Sequence, residues 1–255
     1  LYSWYLRSPK YRTLARKLVE ASRTRKPADI ISESVAKVLY GEVSPYSATR
    51  LERYSACAFA HFLQYGLKLT ERAEYEFRAM DMGNIMHKVL ESLIKEVNKE
   101  KLSLAELSEE ERDALADRLV DTISADYGNT ILKSSARNEY MIQRTKRMVR
   151  RTVWAIQKQL KSGEFEPEGV EVVFQGGRID RVDTMETDDG KLYVRVIDYK
   201  TGNTSFDLVS LYHGLQLQLM IYMDGALTVE QNKHKDKEVI PAGVFYYNIK
   251  DPMIQ

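Results

Sequence analysis

The sequence predicts a mixed α/β protein: a helix, a three-strand meander, a second helix and a last strand, preceded by a helical arm. Three observations predict it. Apolar residues recur every three or four positions as far as "VWAIQKQL". From "GVEVVFQ" to "KLYVRVIDYKT" they alternate instead, as strands do. One more helical stretch and one more strand-like run then follow. The chain has 255 residues, 44% of them hydrophobic, enough for one large domain or one domain with an appendage.

Residues 1–75 read as the arm. "YRTLARKLVEAS" has helical spacing, and "RTRKPAD" stops it with a proline. In "SATRLERYSACAFAHFLQYGL" the aromatics recur at helical spacing and Ser47 is placed to cap the start. Residues 76–255 hold the mixed domain. Its first helix, "MDMGNIMHKVLESLIKEVNKE", has a broad apolar stripe of Met82, Ile85, Met86, Val89, Leu90, Leu93 and Val97. His87 lies at the stripe's edge, with Gly83 one turn before it and Glu91 one turn after. Glycine inside a helix costs about 1 kcal/mol relative to alanine, so Gly83 implies a close neighbour.

"SEEERDALADRLVDTISADYG" and "RNEYMIQRTKRMVRRTVWAIQKQLKSG" read as two further helices. The second turns Met141, Met148, Val149, Val153, Ile156 and Leu160 inward and crowds Arg144, Lys146, Arg147, Arg150, Arg151 and Lys158 elsewhere. That basic run is either a solvated face or a phosphate-binding one. "GVEVVFQ", "GRIDRVDT" and "KLYVRVIDYKT" form the meander, with "ETDDGK" as its second turn. "DLVSLYHGLQLQLMIYMDGAL" reads as one helix with Leu211, Leu215, Gln218 and Tyr222 near one face. "TVEQNKHKDKE" reads as a loop or its flank, and "EVIPAGVFYYNI" as the final strand.

Lys and Arg number 38 against 37 Asp and Glu, a net charge of +1, so bulk charge does not announce a nucleic-acid partner and any basic surface is local. Cys57 is the one cysteine, which excludes a disulfide within the chain and points to a reducing compartment. No apolar run approaches the roughly 20 residues that span a bilayer. No signal segment opens the chain, which starts at Leu1 and reads as a piece of something longer.

Asp and Lys are poor strand residues, yet the meander carries Asp180, Asp198 and Lys200. Asp198 and Lys200, two apart, share a strand face. An antiparallel partner can set Asp180 beside Asp198, and two close carboxylates repel unless a cation lies between them. Oxygen ligands of this kind suit Mg²⁺ or Mn²⁺, which polarise a phosphoryl oxygen and acidify a water. A lysine two residues on can orient that water or oppose negative charge in the transition state. The alternative is an exposed sheet edge with an ordinary ion pair.

At these residues the chain resembles a family. "GRIDRVD" followed by "VIDYKTG" is similar to the PD-(D/E)XK nuclease signature in its RecB-like form, on a restriction-endonuclease-like core. "MGNIMH" matches that family's Gly-three-residues-His element, and "QLMIY" its Gln-Leu-x-x-Tyr motif. "SATRLERYSACAFAHFLQYGLKL" and "PAGVFYYNIKDP" narrow the likeness to the C-terminal nuclease region of the AddB family. The resemblance implies metal ligation by His87, Asp180, Asp198 and the Tyr199 carbonyl, and a catalytic Lys200. It implies that Gln218 and Tyr222 line a DNA groove and support the site, and it puts Glu171 in the place of an acid on the first strand. Arg144, Arg147 and Arg151 are the candidate phosphate contacts.

The implied activity is hydrolysis of one DNA strand in the bacterial cytoplasm, at the nucleoid, as an AddA-like helicase-nuclease unwinds a broken end. Chi-regulated recombinational repair follows from it. Cys57 is implied as one ligand of a 4Fe–4S cluster in a longer protein, its partner cysteines lying past Gln255. The chain has no GxxxxGK[ST] loop, so ATP hydrolysis is expected elsewhere. It departs from the family at Ile179, which replaces the proline of the motif, and at a short first hairpin, "FQGG". Two alternatives share the fold: a non-catalytic module that binds DNA ends, and a free-standing CRISPR-associated exonuclease. The complete set of acids and the lysine argues against the first, and the AddB-like stretches argue against the second.

Overall fold

The computed structural model describes residues 2–23, 32–41, 47–70, 79–127 and 136–250. It divides into two compact units, Leu1–Ser44 and Pro45–Gln255. The boundary expected near residue 75 and the "RTRKPAD" stop lie outside the described residues.

The first unit contains α1 (Tyr2–Arg7), α2 (Arg12–Arg23) and α3 (Glu33–Tyr40). Trp4, Tyr5 and Tyr11 stack around the α1–α2 turn, with Trp4 edge-on to Tyr5 at 5.0 Å between ring centres. Ser32 caps α3 by accepting from the Val35 N–H at 3.4 Å.

The second unit opens with α4 (Ala48–Ala56), which Ser47 caps by accepting from the Arg50 N–H at 3.3 Å. Cys57 interrupts it before α5 (Ala58–His61), which runs on into a π-helical turn over Phe62–Gly66. Three long helices follow: α6 (Ala79–Lys99), α7 (Glu109–Asp126) and α8 (Ala136–Lys161). The N-terminus of α7 is fixed by a capping box between Ser108 and Glu111, which satisfies two otherwise unpaired N–H groups.

The α6 stripe is buried along its whole length and packs with Ala116, Leu119 and Val120 of α7 and with Met148, Val149, Val153 and Ile156 of α8. Lys146 pairs with Asp121 at 2.7 Å, and Arg150 donates to Asp117 at 2.7 Å, so part of the α8 basic run ties α8 to α7.

The sheet has the order β1 (Glu166–Phe174), β2 (Gly177–Glu186), β3 (Lys191–Lys200), β4 (Glu238–Asn248). The first three form the expected antiparallel meander, and β4 joins β3 in parallel, with Asp198 opposite Tyr246. A parallel partner needs a crossover, and the second helical stretch supplies it. Ile197 and Tyr199 face the three-helix layer, while Val182, Val194 and Val196 pack under α10 (Gln218–Lys233) with Met223 and Ala226. Two helical layers therefore cover the sheet.

Two expectations need correction. The stretch read as one helix over 207–227 is two, α9 (Leu208–Tyr212) and α10. Gly214 adopts φ +72°, and the Leu215 N–H returns to the Ser210 carbonyl at 2.8 Å, closing the first helix. Leu211 and Leu215 therefore do not share a helix with Gln218 and Tyr222. "TVEQNK" is also helical, as far as Lys233. Its polar residues stay in the helix because Glu230 is fully buried and pairs with Lys233 at 2.8 Å. No helix among the described residues is long and apolar enough to cross a membrane.

Candidate active site

The β2–β3 ladder runs from Glu186↔Leu192 to Arg181↔Ile197 and stops there. Asp180 is the next residue of β2. Its Oδ2 accepts the Tyr199 N–H at 2.8 Å, a side chain taking over where the ladder ends. Its Oδ1 lies 3.3 Å from Nδ1 of His87, which α6 presents from the edge of its apolar stripe. The His87 ring stands edge-on to Tyr199, 6.1 Å between centres. Gly83, one turn earlier, lets Thr201 approach: a Cβ there would lie 3.0 Å from Thr201 Oγ1. The cost of a helical glycine thus allows the end of β3 to reach α6.

Glu171 falls between the pairs Val170↔Arg181 and Val172↔Ile179, and so stands opposite Asp180. Its φ of +52° is the left-handed region, rare for a residue with a long side chain. Arg178 pairs with it. One donor atom each of His87, Glu171 and Asp180 lies within 4.8 Å of the other two. They line a cleft of about 440 Å³ together with Asn84, Lys88, Glu91, Arg178 and Tyr222.

Asp198 is not one of this tight group. It is buried on β3, and its Oδ2 lies 2.5 Å from Lys200 Nζ. Lys200 also donates to Gln218 Oε1 at 2.8 Å and stands over the Tyr246 ring, 5.5 Å from its centre. Gln218 Nε2 donates to the Tyr222 hydroxyl at 2.9 Å, and Phe174 of β1 braces the Tyr222 ring edge-on at 5.8 Å. The lysine is thereby held from β3, β4 and α10 at once.

The charges do not balance. Burial pushes the Asp198 carboxyl up to about 6, and the neighbouring Asp180 adds to this against the opposing Lys200. Burial also raises Glu171, with Asp180 and Glu91 adding to the shift and Arg178 opposing it. Burial alone would lower His87, but its hydrogen bond to Asp180 and the charges of Asp180, Asp198 and Glu171 raise it overall. Oε2 of Glu171 and Oδ2 of Asp198 are buried without an aligned hydrogen bond. An imidazole and several buried or half-buried carboxylates form a donor set that fits a divalent cation.

Several residues here escaped the sequence reading. Tyr246 reaches Lys200 because β4 pairs in parallel with β3, and Arg178 reaches Glu171 across the first hairpin. Glu52 of α4 accepts the N–H groups of Leu217 and Gln218, at 2.7 and 2.9 Å, 165 residues further on. Nothing local in "TRLERY" signals that contact. Conversely, no residue of α8 lines the cleft, so the structure does not bring Arg144, Arg147 or Arg151 to it. Cys57 is exposed at the α4–α5 junction.

Comparison with known proteins bears on this arrangement. The model of the PD-(D/E)XK nuclease superfamily matches residues 45–255, which is the second structural unit. The B-type subunit of the ATP-dependent helicase/deoxyribonuclease of Lachnoclostridium phytofermentans is 47% identical over 232 residues, covering 88% of this chain and 20% of the relative. Its namesakes in Alkaliphilus metalliredigens and Thermoanaerobacter sp. are 35% and 36% identical over 275 residues, covering 100% of this chain and 24% of each relative. The chain spans a quarter or less of the length of these relatives. The family match covers the sheet, the acids on its strands and the α6 and α10 side chains that meet them, and on that ground the chain belongs to the PD-(D/E)XK nuclease superfamily.

Proposed function

We propose that this chain is the metal-dependent deoxyribonuclease domain of an AddB-like component of a helicase-nuclease. One observation carries the reading: donors on three separate elements, His87, Glu171 and Asp180, converge, and Asp198, on which the Asp180 charge acts, pairs with a lysine held by Gln218. The names of the relatives supply the substrate class.

His87, Glu171, Asp180 and Asp198 would hold Mg²⁺ or Mn²⁺, with Tyr199 adjoining through its backbone. When bound, such an ion polarises a phosphoryl oxygen and acidifies the attacking water. The chain's own contributions follow from the geometry. Asp180 is oriented by the Tyr199 N–H. Lys200 sets a positive charge where negative charge develops on the phosphodiester. Gln218 turns its carbonyl oxygen to Lys200 because its amide N–H is engaged by Tyr222.

The substrate in the cell is one strand of a duplex end unwound by an AddA-like partner that supplies ATP hydrolysis, in the bacterial cytoplasm. In the longer protein Cys57 is one thiolate of a 4Fe–4S cluster, the others coming from elsewhere in that protein.

The test is cleavage of labelled single-stranded DNA with Mg²⁺ or Mn²⁺ and with EDTA as control. Asp180→Ala and Lys200→Ala should each lower the rate by at least about a hundredfold, about 2.7 kcal/mol of transition-state stabilisation, while DNA affinity changes little. Cleavage at the wild-type rate in both variants would put the chemistry outside this site, and a wild type that binds and never cuts would favour the non-catalytic module.

A further inference from the structure

The N-terminus of α10 lacks a cap of its own. Leu217 occupies the capping position and has no side chain that can accept a hydrogen bond. The first N–H groups of a helix need acceptors, and a carboxylate serves best because it also meets the positive end of the helix dipole. That carboxylate comes from α4. A single oxygen of Glu52, Oε1, accepts both the Leu217 and the Gln218 N–H. The α4 helix is seated there by a second contact. Gly214, in the turn before α10, leaves room for Ser55, whose Oγ would lie 2.8 Å from a Cβ on that glycine.

Gln218 is therefore held at both ends. Its backbone N–H is on Glu52, and its side chain bridges Lys200 and the Tyr222 hydroxyl. We infer that Glu52 is a positioning residue: it fixes the first residue of α10 and, through Gln218, the ammonium group of Lys200. The α4 segment, which also carries Cys57, then acts as a brace for the reacting centre. This rests on the nuclease reading for its consequence and on geometry alone for its mechanism.

An ordinary cap would contribute only to stability. The experiment separates the two roles. Glu52→Ala, Glu52→Gln, Gln218→Ala and the Glu52→Ala/Gln218→Ala double variant are compared on single-stranded DNA with Mn²⁺, at a temperature where all are folded. We expect Glu52→Ala to lower kcat about tenfold with KM unchanged. Glu52→Gln, which keeps an acceptor oxygen, should restore most of it. The double variant should be no slower than Gln218→Ala alone, because both act through one connection.

A second readout needs no cleavage. In protein with ¹³C-labelled lysine, the Lys200 side-chain resonance should move in Glu52→Ala in the same direction as in Gln218→Ala. A wild type without nuclease activity overturns the proposed function and leaves this readout to decide the role of Glu52. An unmoved Lys200 resonance, an unchanged kcat, or fully additive losses would each reduce Glu52 to a plain helix cap.

Discussion

Asp198 illustrates what a single residue contributes here. It is a buried carboxyl whose proton is held to about pH 6, and in an ordinary strand it would be a defect. The groups facing it are Asp180, Lys200 and His87. Its pKa is raised from 3.8, so the folded state binds the proton more tightly than the unfolded chain does. Its contribution to stability is full at low pH and is lost as pH rises from about 4 to about 6, at most about 3 kcal/mol. His87 and Glu171 are also raised, which gives the same sign. Metal-free protein should therefore melt at a lower temperature at pH 8 than at pH 5. Mn²⁺ should raise the melting temperature more at pH 8, where the carboxylates are ionised. Asp198→Asn should flatten the metal-free pH dependence; a slope as steep as the wild type's would refute this account. Asp180, Asp198 and Lys200 were legible because acids and a lysine are out of place in strands. The approach of Glu171 to His87 and Asp180 was not, because it depends on a left-handed backbone at one residue. Glu52 and Tyr246 were not because their partners arrive only through tertiary packing.

At the scale of an element, β2 carries two aspartates with opposite uses. Asp180 lies in the cleft just past the end of the β2–β3 ladder, while Asp183 is fully buried with Arg181. Arg181 Nε and Nη2 donate to Asp183 at 2.7 and 2.8 Å, and Nη1 reaches the Tyr199 hydroxyl at 3.0 Å. Arg195 adds a further bond to Asp183 at 2.6 Å. The network locks the ring of Tyr199, whose backbone orients Asp180. Replacing one partner of a buried pair leaves the other uncompensated, so Arg181→Met should cost about 3–5 kcal/mol in urea unfolding. Arg181→Met/Asp183→Leu should recover part of that loss. A cost under about 1 kcal/mol for Arg181→Met would mean that water reaches the pair. An acid is equally out of place in a strand at Asp180 and at Asp183, and the likeness to the family motif is what singled out Asp180. The long helices were legible because the apolar stripe of α6 and the capping box of α7 are local patterns. The break between α9 and α10 was not, because it turns on one positive φ in a run that keeps its apolar spacing.

For the whole molecule the question is how a chain with a net charge of +1 holds a polyanion. The cations that line the cleft are already engaged, Lys88 with Glu91 at 2.7 Å and Arg178 with Glu171. On α8, Lys146 and Arg150 join α7, and Arg147 lies 5.9 Å from the centre of the Tyr140 ring. The relatives that the chain matches are four to five times its length. The chain alone should then bind single-stranded DNA with a shallow salt dependence. Each phosphate neutralised on a single strand contributes about −0.7 to the slope of log K against log salt. Three arginines on α8 acting on phosphates would contribute about −2 together. Since none of them lines the cleft, Arg144→Ala/Arg147→Ala/Arg151→Ala should leave the slope within about one phosphate of the wild type. The measurement is a salt titration of binding to a labelled oligonucleotide at fixed Ca²⁺, which supports contact without the need for turnover. If the slope becomes shallower by about 2 in the triple variant, the strand runs along α8 and the cleft is only the end of its path.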